Sequence, residues 1–164
     1  MILVRHPETA DPRVIAGQSE VGLSADGEAA LDAIVTAVPR ATRVVASDLG
    51  RCRALAEVLA GRNGVPLELD ARWREQSFGS WEGRRWDEVD GRTYLDAWTT
   101  ASPPGGERIG EVLARVATAM RALGDDTLVV THAGPIRCAL VAARGLTLEE
   151  AFAIPVPFGS WRSV

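Results

Sequence analysis

Apolar positions along the chain change period several times, and each change marks a predicted element. Ile2-Leu3-Val4 is a short aliphatic run that stops at Arg5 and His6, as a buried strand does on reaching polar residues. Ser24 suits a helix cap, with Asp26 and Glu28 in the first turn; Leu31, Ile34, Val35 and Val38 then recur at helical spacing until Pro39. Val44-Val45-Ala46 predicts a second strand running into Ser47-Asp48. Cys52, Leu55, Ala56 and Leu59 give a helical stripe closed by Gly61 and Gly64, and Leu67-Glu68-Leu69 a third strand. Ile109, Val112, Leu113, Val116 and Met120 carry another helix towards Leu123. Thr127–Thr131 is a strand that meets His132, and Pro135 suits the first turn of a helix bearing Ile136, Leu140 and Val141. Residues 159–164 form a candidate edge strand.

This alternation of strand and helix predicts an α/β fold, a three-layer α/β/α sandwich on a mainly parallel sheet. With no internal repeat, low-complexity tract or linker, residues 1–164 read as one domain. The least regular stretch, 72–106, holds four of the five tryptophans and the loop Ser102-Pro103-Pro104-Gly105-Gly106. It is expected to pass over one sheet edge.

Composition narrows the function. The 164 residues, 46% apolar and 24% charged, suffice for one hydrophobic core. Apolar runs fall well short of the roughly 20 residues that span a bilayer, and the N-terminus has neither a basic leader nor a cleavage site. A cytoplasmic protein without a membrane partner is expected. A net charge of −4 with no basic run argues against nucleic acid. Cys52 and Cys138 read as small buried residues, not as a disulfide. The sequence has no lysine, so all 18 fixed cations are arginine guanidiniums. That excludes a Walker-type phosphate loop, and no GxGxxG follows the first strand. The two histidines, His6 and His132, lack the HxH or HExxH spacing of a metal site, so no metal or cofactor is called for.

Both histidines directly follow predicted strands, and Arg51 stands just beyond another. Ligands of open α/β sheets bind outside the carboxyl ends of strands, so the three converge on one edge. Arg5 beside His6 suits a phosphoryl group: the guanidinium forks to phosphate oxygens while the imidazole attacks phosphorus. Ser47 to Arg53 opens a helix, where backbone N–H groups and Arg51 together favour an anion. Glu75, within Trp73-Arg74-Glu75-Gln76-Ser77-Phe78-Gly79-Ser80-Trp81-Glu82-Gly83, suits a general acid, a solvated loop glutamate being the ordinary alternative. Trp81, Trp86, Tyr94 and Trp98 are either core or a face for a flat ligand.

Several of these segments resemble, in order, the motifs of the histidine phosphatase superfamily, also called phosphoglycerate mutase-like. Leu3-Val4-Arg5-His6-Pro7-Glu8-Thr9 resembles RHGxT, Gly22-Leu23-Ser24-Ala25-Asp26-Gly27 PLTxxG, and Ser47-Asp48-Leu49-Gly50-Arg51-Cys52 SxLxRA. Arg74-Glu75 with Phe78-Gly79-Ser80-Trp81-Glu82-Gly83 resembles LRE…FGxWEG. Pro104-Gly105-Gly106-Glu107 resembles PGGES, and Val130-Thr131-His132-Ala133-Gly134 VSHGG. The resemblance implies a phosphoglycerate mutase-like fold and a metal-independent phosphomonoesterase acting on a small phosphorylated metabolite. His6 would be the nucleophile that becomes a phosphohistidine. Arg5, Arg51 and a protonated His132 would form the phosphate pocket, and Glu75 would donate the proton. Size and the WEG run make the chain most similar to the α-ribazole phosphatase-like and small-phosphatase branch, with α-ribazole-5′-phosphate a candidate substrate. The alternatives are a phosphohistidine phosphatase, a small phosphoglycerate mutase, and a non-catalytic phosphate-ligand binding module. Monomer and homodimer are equally compatible with the sequence. Three residues depart from the pattern: Pro7 for glycine, Pro12 where many members carry a phosphate-contacting asparagine, and Arg108 for the serine of PGGES.

Overall fold

A computed structural model describes residues 1–164, the side chain of Thr93 excepted. Five strands form one sheet: β1 (Ile2–Arg5), β2 (Arg43–Ala46), β3 (Leu67–Leu69), β4 (Thr127–Thr131) and β5 (Trp161–Ser163). Their spatial order is β3-β2-β4-β1-β5, parallel throughout except for β5, which pairs antiparallel with β1 at the edge. Side chains alternate across the pleat and so build two cores. Val4, Val44, Ala46, Leu128 and Val130 face α2 (Leu31–Ala37) and α3 (Gly50–Asn63). Leu3, Val45 and Val129 face α5 (Ile109–Arg121) and α6 (Ala133–Arg144), with α7 (Leu148–Ala153) packed alongside. This is the three-layer α/β/α sandwich that the sequence predicts. Cys52 and Cys138 are buried, unpaired, and on opposite faces of the sheet.

The helices differ from the sequence reading in detail. Ser24 caps α1 (Ala25–Ala29), its hydroxyl accepting from the Gly27 N–H at 2.9 Å, and Ala30 links α1 to α2. Gly61 does not end α3. The helix runs on to Asn63 and stops at Gly64, whose φ of 69° supplies the left-handed cap. The apolar stripe also gives no warning of α7, a short helix opened by a Thr147–Glu150 capping box.

Residues 72–106, which include α4 (Gly91–Asp96), lie differently from the expectation of a crossing at the sheet edge. They run back across the carboxyl ends of the strands, where the Trp73 carbonyl accepts from Thr131 Oγ1 at 2.6 Å. Val14 bridges to Arg85. Gly79, at φ 55°, lets this stretch cross the 104–106 loop: a Cβ there would stand 2.2 Å from the Pro104 carbonyl oxygen. Among the described residues, no helix is long and apolar enough to cross a membrane.

Candidate active site

Three adjacent strands deliver the site. β1 ends at Arg5, followed by His6; β4, beside it, ends at Thr131, followed by His132. β2, on the other side of β4, leads through Ser47 to α3 and Arg51. The His6 N–H donates to the Thr131 carbonyl at 3.0 Å, extending the ladder by one residue. The two imidazoles therefore sit at one level, centroids 5.0 Å apart with ring planes at 63°. A cleft of about 360 Å³ opens here, lined by Arg5, His6, Arg51, Glu75, His132 and Arg137 among others.

His6 is buried, and its Nδ1–H donates to the Pro7 carbonyl at 2.7 Å. A carbonyl only accepts, so Nδ1 carries the proton and Nε2 the lone pair, with no partner among the described residues. Burial first, then the charges of Arg51 and Arg5, pull the His6 pKa down to about 3, which keeps the ring neutral. Pro7 lacks the glycine's N–H but retains the carbonyl that orients His6.

Arg51 is 2% exposed. Its Nε–H donates to His132 Nδ1 (3.2 Å), Nη1 to the Ser19 carbonyl (2.8 Å) and Nη2 to the Gly17 carbonyl (2.5 Å). Three of its five N–H groups are thereby used, leaving one on each terminal nitrogen. Because Arg51 only donates, His132 Nδ1 must accept, and Nε2–H is directed at Ser47 Oγ, 3.0 Å away. His132 is therefore neutral here, unlike the protonated ring expected from sequence. Its pKa is held well below the ordinary value by complete burial and then by His6, Arg51 and Arg5. Arg5 donates from Nη1 to the Val156 carbonyl at 2.6 Å and lies 3.7 Å over the Phe158 ring. Burial lowers the pKa of both arginines, Glu75 acting in the opposite sense.

Glu75 reaches the same cleft from the 72–106 stretch. Its Oε1 accepts from the Gln76 N–H (3.0 Å) and its Oε2 from the Gly134 N–H (3.2 Å) in the first turn of α6. The loop is held from several directions. Arg74 forks onto Asp48 at 2.6 and 2.5 Å; Arg115 donates to the carbonyls of Arg72, Arg74 and Glu75, and also grips Glu107. Glu82 turns away from this chemistry. It accepts from the Gln18 N–H, the Phe78 N–H and the Ser19 hydroxyl, fixing the loop whose carbonyls hold Arg51.

Pro12 lines the cleft and offers no donor, while Arg108 is exposed at the start of α5. Trp81 and Tyr94 pack with Ile15 in a small core; Trp86 lines the cleft, and Trp98 stacks on Phe152 with centroids 4.5 Å apart. Sequence reasoning missed Arg115, Phe158 and Arg137. For Arg137 a signal existed: three residues after Gly134, it shares that residue's helix face. Arg5, Arg51 and Arg137 make no ion pair among the described residues and Glu75 is the one carboxylate lining the cleft with them, so the cleft carries net positive charge in an acidic chain.

Known proteins resemble this chain over most of its length. A curated Escherichia coli O1:K1 protein named "Probable phosphoglycerate mutase GpmB" is 31% identical over 159 residues, covering 88% of this chain and 74% of its own. A mycobacterial glucosyl-3-phosphoglycerate phosphatase superposes with a TM-score of 0.87 at 26% identity, over 98% of this chain and 87% of its own. The α-ribazole phosphatase of Shigella flexneri gives the same TM-score and coverage at 22% identity, a likeness of fold. The profile of the histidine phosphatase superfamily (branch 1) matches residues 1–164, and the chain belongs to that superfamily, whose members are phosphatases or mutases.

Proposed function

We propose that the protein is a phosphomonoesterase that hydrolyses a small phosphorylated metabolite through a covalent phosphohistidine on His6. The observation that carries this reading is a neutral imidazole whose unpartnered Nε2 lies in a cleft with two guanidiniums, Arg51 buried and Arg5 half-buried, neither in an ion pair among the described residues. In the first step Nε2 forms a bond to phosphorus as the ester P–O bond breaks, and the departing oxygen takes a proton from Glu75. The spare N–H groups of Arg51 and Arg5 stabilise the charge spread over the equatorial oxygens. In the second step the Glu75 carboxylate takes a proton from water, whose oxygen attacks phosphorus and releases His6. His132 takes part as the neutral ring whose Nδ1 accepts from Arg51 Nε, which sets the fork of Arg51 toward the phosphate. This mechanism needs no metal.

The test is labelling. Wild type, mixed with para-nitrophenyl phosphate in EDTA and quenched rapidly, should yield acid-labile, alkali-stable phosphate on protein, and His6→Ala none. More than a few per cent of activity in His6→Ala would overturn the mechanism, and binding without turnover in wild type would favour a non-catalytic module. Two relatives, a probable phosphoglycerate mutase at 31% identity and a glucosyl-3-phosphoglycerate phosphatase at 26%, support a phosphorylated glycerate as substrate or product. Assays with 3-phosphoglycerate, glucosyl-3-phosphoglycerate and α-ribazole-5′-phosphate distinguish isomerisation from phosphate release and rank the candidates.

A further inference from the structure

The phosphate machinery leaves one guanidinium of the cleft unused. Arg137 stands on α6 three residues after Gly134, whose N–H holds the Glu75 carboxylate. It therefore lies on the Glu75 side of the cleft, the side from which a proton would reach the departing oxygen. Its Nε–H donates to the Ile154 carbonyl at 3.3 Å, and its guanidinium carbon sits 5.2 Å over the Phe152 ring. These two contacts tether the guanidinium through its Nε side. Nη1 and Nη2 make no hydrogen bond to any described residue, and no carboxylate pairs with them within 4 Å.

Arg137 also joins two spaces. The wall formed by Gln76, Phe78, Trp86, Arg137 and Phe152 is shared between the His6 cleft and a neighbouring trough of about 510 Å³. The trough adds Tyr94, Leu95 and Trp98, which are apolar or aromatic, and Glu149. A leaving group extending from a phosphate at His6 would meet a mostly apolar and aromatic surface, the unengaged fork of Arg137 shared by both spaces, and Glu149, which lines the trough and not the His6 cleft. An ordinary surface arginine of this protein looks different: Arg53 is exposed and pairs with Glu57 one helical turn away.

We propose that Arg137 and the aromatic trough beside it form a subsite for an anionic substituent on the leaving group, set back from the scissile ester. Two terminal nitrogens without a partner suit a carboxylate, which accepts both bonds of the fork. The inference rests on the phosphatase reading and adds a specificity-determining residue to it.

The test uses two aryl phosphates of one shape, the phosphate monoesters of 4-hydroxybenzoate and 4-hydroxybenzamide. The carboxamide withdraws electrons more strongly, so intrinsic reactivity runs against the preference expected. Wild type should favour the carboxylate ester at least tenfold in kcat/KM, chiefly through KM, and the preference should shrink as ionic strength rises. Arg137→Gln should bring the ratio close to unity, Arg137→Lys should retain part of it, and Arg53→Gln should leave it intact. Equal kcat/KM for the two esters in wild type overturns the subsite, as does a preference that survives in Arg137→Gln. That wild-type comparison holds even if a variant folds poorly. Absence of turnover on both esters brings down the phosphatase reading, and the subsite with it.

Discussion

Arg51 illustrates how one side chain is specified twice over. Its Nε fixes the tautomer of His132, its terminal nitrogens hold the carbonyls of Gly17 and Ser19, and the N–H groups left over face the cleft. Only a planar fork with five donors meets these demands together; an ammonium keeps the charge and loses the geometry. Arg51→Lys is expected to cost on the order of 2–4 kcal/mol of transition-state stabilisation, read from kcat/KM. Arg53→Lys, two residues along α3 and exposed, should change kcat/KM by less than about threefold, within the small effects of surface substitutions. Equal losses would move the pocket to another face of the helix. Arg5, His6, Arg51 and His132 were legible in the sequence because each sits within a few residues of a strand end that the apolar pattern marks. The partners of Arg51 were not, since Gly17, Ser19 and His132 lie 34, 32 and 81 positions away.

At the scale of elements, the first turn of α6 and the loop carrying Glu75 are fitted to each other. The Glu75 carboxylate rests on the backbone of Gly134, and a Cβ there would stand 2.2 Å from its Oε1. Gly134 has ordinary helical geometry, so alanine suits the helix and should raise its intrinsic stability by roughly 0.5–1 kcal/mol. What must move is the carboxylate, the free end of a flexible side chain. Gly134→Ala should therefore melt at or above the wild-type temperature yet hydrolyse an alkyl phosphate at least about tenfold more slowly, a fraction of the ~10²–10⁴ that general acid catalysis supplies. Single-turnover phosphorylation by para-nitrophenyl phosphate, whose leaving group needs no proton, should suffer less. Unchanged rates on both substrates would detach Glu75 from proton transfer. The glycine itself is visible in Val130-Thr131-His132-Ala133-Gly134, but its purpose is not, because the carboxylate that needs the space is 59 positions away. The same holds for Arg115, which reads as one more polar position on the α5 stripe and in fact ties together carbonyls 40 to 43 residues distant. Gly61 misled for a local reason: a glycine weakens a helix but does not stop it where neighbouring residues stay packed on the sheet.

Across the whole molecule, the strand order places β4 between β1 and β2, so the carboxyl ends carrying His6, His132 and the approach to Arg51 stand side by side. Strand identity was readable from short aliphatic runs; strand order was not, since the sequence pattern marks faces and leaves neighbours open. The consequence of this order is that both histidines of the chain are buried together and neutral beside guanidiniums, which ties global stability to pH. In the unfolded chain an imidazole takes up a proton as pH falls through about 6.5, whereas His6 in the fold resists protonation until about 3. Between those values the unfolded state binds more protons, so stability falls as pH falls, and His132, shifted in the same direction, adds to the effect. The ion-paired carboxylates Asp48, Glu68 and Asp70, whose pKa values are lowered in the fold, contribute a separate loss nearer pH 4. For His6 alone the cost between pH 7 and pH 5 is on the order of 2 kcal/mol. Urea unfolding of wild type and His6→Gln at pH 7, 6 and 5 isolates this term, because the comparison uses the slope with pH and not the absolute stability of either protein. The glutamine variant should lose less stability over the interval by about that amount. Parallel pH dependences for the two proteins would mean that His6 takes up its proton in the fold as readily as in the unfolded chain, and that burial beside Arg51 and Arg5 is not what holds the nucleophile neutral.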